Sequence, residues 1–178
     1  MSTSNNFVFK GLQVVAWIIF VGLCIEAGGL LVNFIVSIYN PAFVKNLYQK
    51  LDLSELYNHS QWVYFGIYSF ILFIAFLKAH LFYILIKLLH KLDLARPFSP
   101  FVSEKISQIS YYTLSIGIIS YIAREVARNM QHHGFDIDKL NQFWADSQAF
   151  ILMAAVVYVI ATIFKRGIEI QSENELTV

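Results

Sequence analysis

A chain of 178 residues that is 57% hydrophobic and only 14% charged is richer in apolar residues than an ordinary water-soluble domain, where charged residues approach a quarter. Its net charge of +1 comes without a clustered basic face, so direct nucleic-acid binding is not expected. Cys24 is the single cysteine, which leaves no partner for an intramolecular disulfide or for paired-thiol exchange chemistry.

Four apolar stretches carry the excess. They predict an all-α integral membrane four-helix bundle, with spans at about 11–39, 62–89, 106–127 and 145–165 and a tail at 166–178. A span needs about 20 residues at 1.5 Å rise each. A soluble bundle would need a charged face on every helix, yet Val14 to Ile25 and Val63 to Leu77 carry no charge at all.

The first stretch is too long for the apolar region of a signal peptide and follows one basic residue, Lys10, so it is expected to stay attached. Leu23 before Cys24 is too large for a lipoprotein cleavage box. Glu26 lies near the middle of this stretch, and a carboxylate in hydrocarbon is costly enough to count as a functional-site hypothesis. Gly22 and Gly29, seven residues apart, share a face expected to pack closely on a neighbouring helix.

The first loop opens at Pro41 and carries Phe43, Val44, Leu47, Leu51, Leu53 and Leu56 at spacings near three and four. That spacing predicts an amphipathic helix lying along the outer interface.

The second span holds Lys78. Glu26 lies roughly 22 Å along the first helix and Lys78 roughly 16 Å before the end of the second, so their depths are comparable. An ion pair between them would lessen the insertion cost, with Arg124 as the competing partner for Glu26. Such a pair either fixes helix register or serves a proton, ion or substrate role. His80 points to another side of the same helix, and no other span offers a mid-membrane histidine. Neither haem nor any other cofactor is expected.

Between spans two and three, Pro97 biases Arg96 away from helical angles, and Ser99 is placed to cap a helix whose first position is Pro100. Arg96 and Phe98 are candidates for a partner-docking surface on this loop. In the third loop His132, His133, Asp136 and Asp138 are zinc-ligand types, but adjacent histidines seldom reach one ion. A solvated loop without metal is expected there.

Lysine and arginine number seven on the side of the termini and five on the other. The positive-inside rule therefore puts both termini in the cytoplasm. Trp17, Tyr39, Trp62, Tyr64, Tyr111, Tyr112 and Trp144 fall toward the ends of the runs, where aromatic belts form.

The tail from Arg166-Gly167 through Gln171 to Asn174-Glu175-Leu176-Thr177-Val178 resembles the closing signature of the bacterial membrane-protein family catalogued as domain of unknown function 2975. The Pro97-Phe98-Ser99 turn is similar to that family's proline-phenylalanine turn before helix three. The resemblance implies a four-helix inner-membrane protein, often encoded beside a small helix-turn-helix regulator of the Xre type, and carries over no catalytic residue. Glu169, Glu173 and Glu175, with Gln171 and Asn174 among them, make the tail acidic and suited to the basic face of such a regulator.

Two classes of function follow. One is a non-enzymatic membrane anchor or sensor acting through its cytoplasmic loop and tail. The other is a small transport or proton-coupled component using Glu26 and Lys78, for which homo-oligomerisation would supply the missing pathway; membrane lipid is an expected partner in either case. An enzyme would need a nucleophile with a base in reach or a convincing metal set, and neither pattern is evident.

Overall fold

A computed structural model describes residues 3–48, 51–93, 97–132, 134–135 and 138–175, excluding the side chains of residues 3–7, 138, 174 and 175. The chain is all-α: α1 (Thr3–Tyr39), α2 (Ser54–His59), α3 (Gln61–Lys91), α4 (Pro100–His132) and α5 (Ser147–Glu175), with 3-10 turns at Pro41–Lys45 and Asp138–Phe143. The four long helices overrun their apolar cores because polar caps and flanks extend them. Ser99 is one such cap: its hydroxyl accepts from the Val102 amide at 3.3 Å, and Pro100 opens α4 as expected.

Among the described residues, three segments are long and apolar enough to cross a membrane: Val8–Tyr39, Gln61–Lys91 and Lys139–Glu173. The third helix foreseen from the sequence, α4, has 33 residues but does not reach that apolarity. Four of its hydroxyls are satisfied by backbone carbonyls. Ser107, Thr113 and Ser115 donate to carbonyls one turn earlier, and Ser110 donates across to the Ala154 carbonyl of α5 at 3.0 Å.

Packing follows chain order, α1 on α3, α3 on α4, α4 on α5. A closed bundle would also pack α1 along α5, and no such seam exists among the described residues. Burial agrees: 17% of the apolar window is buried for the first and last segments, against 33% for α3. The α4–α5 seam is the closest. A Cβ on Gly117 would lie 2.7 Å from the Ile151 side chain and 3.2 Å from the Ser147 carbonyl oxygen.

The first loop is not one amphipathic helix. Pro41 starts a short 3-10 turn, Asp52 closes a turn onto Ser54, and the two helical pieces are separated by a Leu47–Leu51 bridge. Val44, Leu47, Leu51, Leu53 and Leu56 are buried in the main core, so the apolar spacing reflects burial under protein rather than a face laid on lipid. Trp144 and Tyr64 are likewise in the core, 2% and 0% exposed, unlike the belt residues Trp62 and Tyr39. Of the expected glycine face, Gly29 takes the Tyr48 ring from this loop, while Gly22 meets nothing.

Candidate functional site

At the end where α1 begins and α5 ends, three helix termini meet. Leu88 and Leu92 from α3 and the segment after it, Val102 and Ile106 from α4, and Val157, Ala161 and Phe164 from α5 form a small separate core. Gln13 of α1 donates to the Leu89 carbonyl at 2.8 Å, satisfying an acceptor of the last turn of α3. Over this core lies the Pro97-Phe98-Ser99 turn. The Phe98 ring packs on Phe164, with centroids 5.3 Å apart, and its Cδ1 stands 2.6 Å from where a Cβ on Gly167 would be. Glycine inside a helix is costly, and here its missing side chain is the seat for the ring.

Charges ring the seat. Lys91 lies over the Phe101 ring at 5.0 Å, with Lys105 at 5.7 Å from the same ring. Lys105 also donates to Gln108 at 2.8 Å, and Gln108 in turn to Glu104. On α5, Arg166 pairs with Glu169 at 2.8 Å. Beyond that pair the helix runs unbroken to Glu175, carrying Gln171, Glu173, Asn174 and Glu175 on one rod continuous with the span. Arg96 lies outside the described residues, as do His133 and Asp136 of the third loop.

The charges inside the long helices are arranged differently from expectation. Phe20 packs on Tyr83, and the Tyr68 hydroxyl donates to the Leu30 carbonyl, so Glu26 lies near the level of Ala75, about one turn from Lys78. The depths are comparable, but the ion pair is not formed: no salt bridge among the described residues includes Glu26 or Lys78. Ten residues beyond Tyr68, Lys78 is turned roughly 80° from the face that meets α1. It continues the buried row Ile67, Ile71, Ile74 and reaches the Phe150 ring of α5 at 5.7 Å. Arg124 stays with its own helix: its Nε is buried 3.8 Å from the Glu125 carboxylate without a hydrogen bond, and its guanidinium lies over Tyr121.

Phe98 was expected to belong to a docking surface and Gly167 stood only within the tail signature; that the two touch was not expected. A glycine directly before a helical Ile-Glu-Ile run was the available signal. Phe164 was missed altogether, since a phenylalanine at a span end has no distinguishing pattern.

Comparison with known proteins gives one finding. No curated protein and no solved structure matches the chain. A family model does, over residues 47–178, which includes Phe98, Gly167 and the acidic tail. The chain belongs to that family, described as protein of unknown function (DUF2975).

Proposed function

We propose that this chain is a non-enzymatic membrane anchor or sensor that presents its α3–α4 turn and tail helix as one docking surface. In this reading α4 is a fourth span, screened by α3 and α5, the protein sits in the cell inner membrane, and both termini face the cytoplasm. The observation that carries it is the seating of Phe98 on Gly167. That contact joins the proline-phenylalanine turn to the tail helix, and it supports an acidic rod held in a set direction relative to the turn.

The partner suited to Glu169, Glu173 and Glu175 is a protein with a basic face, such as a small helix-turn-helix regulator. Occupying that face would take away the cations that contact phosphate and hold the regulator at the membrane. The test is partition of a co-expressed regulator between membrane and cytosol. Wild type is expected to retain it, and reversal of all three glutamates to lysine is expected to release it. A regulator equally free with both would end the proposal.

A further inference from the structure

On one side of the α4–α5 seam the two helices leave a groove of about 360 Å³. Ser110 and Ala154, both buried, are its floor, and Tyr111, Leu114, Ala155 and Tyr158 stand along its sides. The Ser110 hydroxyl is already spent on the Ala154 carbonyl. A held water needs about two to four polar partners, which this floor does not offer, so the groove favours an apolar occupant.

Its dimensions select the kind of occupant. On α5 it runs from Ile151 to Tyr158, and seven steps of 1.5 Å make it roughly 10 Å long, hence roughly 6 Å across for that volume. A helix with its side chains is about 10–12 Å wide, so a helix of a second copy does not enter, whereas one extended hydrocarbon chain does. Depth agrees from both helices. Tyr158 lies roughly 10 Å before Lys165, and Ser110 lies roughly 15 Å after Pro100. One leaflet supplies about 15 Å of hydrocarbon, so the groove falls at the level of the acyl chains on the tail side.

A charge stands where the headgroup of such a chain would be. Tyr158, Thr162 and Lys165 are spaced four and three apart and share one exposed stripe of α5. The stripe leads from the groove to the Lys165 ammonium, which has no carboxylate within salt-bridge distance among the described residues. Neighbouring carboxylates are already faced by cations, Glu169 by Arg166 at 2.8 Å and Glu104 by Lys105 at 3.6 Å. The charge left over at this end is positive and suited to a phosphate.

We propose that the groove holds one acyl chain of an anionic glycerophospholipid from the tail-side leaflet, with its phosphate at Lys165. This site rests on α4 being a membrane span and is independent of any regulator held by the tail.

The full chain in vesicles containing phosphatidylglycerol, with a photoreactive group near the end of one acyl chain, tests it. Light is expected to attach the lipid to residues 110–114 and 151–158 roughly tenfold more than to Ile18 and Val21 of α1, which are similarly exposed. Unlabelled phosphatidylglycerol is expected to compete roughly tenfold better than phosphatidylethanolamine, and Lys165→Glu to erase that advantage. Ala155→Phe, which fills the groove from an exposed position, is expected to abolish the preference for the seam, and Val156→Phe on the other side of α5 to leave it. Even labelling of all the long helices, or seam labelling unchanged by Ala155→Phe, overturns the chain site, and an advantage that persists in Lys165→Glu overturns the headgroup assignment. In a Cys24→Ser background, Tyr111→Cys is expected to resist impermeant thiol reagents from both sides. Rapid reaction there would defeat the span itself, whereas an unreactive thiol with even lipid labelling would defeat the groove alone.

Discussion

The seam between α4 and α5 and the seam between α1 and α3 join helices of similar length by opposite means. Between α4 and α5 the side chains are small: Ser110, Gly117, Ala154 and Ala161 let the backbones approach until a hydroxyl bridges them directly. Between α1 and α3 the contacts are large and aromatic, with Phe34 stacked on Tyr68 at 5.4 Å and edge-on to Phe65 at 5.7 Å. Close seams tolerate no added volume, whereas ring-filled seams can re-pack. The α4–α5 seam is therefore expected to tolerate added volume least, and the aromatic α1–α3 seam to adjust to it more readily.

Adding bulk should separate the two halves most sharply. Gly117→Leu is expected to lower stability by about 3 kcal/mol or to prevent folding, because Ile151 and the Ser147 carbonyl occupy the space. Gly22→Leu on α1, which lies outside both seams with nothing within 4 Å, is the control and is expected to stay within about 0.5 kcal/mol. Thermal unfolding in mild detergent reads both, and a comparable loss at the two glycines would remove the distinction.

Phe98→Ala ranks next. The ring is 40% exposed, so its removal should cost about 1 to 2 kcal/mol. Limited proteolysis should then cut α5 beyond Arg166 sooner, while the α4–α5 seam above stays intact.

Single hydrogen bonds across each seam are worth less. Ser110→Ala and Tyr68→Phe each remove one helix-to-helix bond to a carbonyl, at about 0.6 to 1 kcal/mol apiece by the same unfolding measurement. The Ser110 loss should be the larger, since the aromatic seam can re-pack around a missing hydroxyl.

The smallest expected effect lies in the loop. The backbone amide of Ser54, then its hydroxyl, hold the Asp52 carboxyl below its ordinary value of 3.8, with Lys139 and Lys45 adding to the effect. A lowered folded-state pKa stabilises above the unfolded value and is lost as pH falls through the folded one. The start of α2 should therefore loosen only below about pH 4, with Asp52→Ala abolishing that step in an acid titration followed by hydrogen exchange of the Ser54 amide.

Much of this was legible in the residues. Uninterrupted apolar runs fix α1 and α3, the Ser99-Pro100 pair fixes the start of α4, and rise per residue alone put Glu26 and Lys78 at comparable depths. The pairing of those two charges was not legible, because it depends on which azimuth each helix turns to its neighbour, and Phe34, Phe65 and Tyr68 decide that through packing. The buried first loop was hidden for a related reason: leucines buried under protein recur at the same three- and four-residue spacing as an amphipathic face. The low apolarity of α4 was obscured by the absence of charge between Ile106 and Ala123, where serine, threonine and tyrosine lower it instead. Phe98 and the tail signature each stood out in the sequence, yet only the antiparallel return of α5 brings the turn and the tail together.

The central claim is that Phe98 seated on Gly167 makes the turn and the tail helix one surface. Hydrogen exchange of the α5 amides from Gly167 to Glu173, compared between wild type and Phe98→Ala in detergent, tests it most directly. The account predicts faster exchange confined to that stretch, with the amides from Ile151 to Ala161 unchanged. Unaltered protection beyond Arg166 would contradict it.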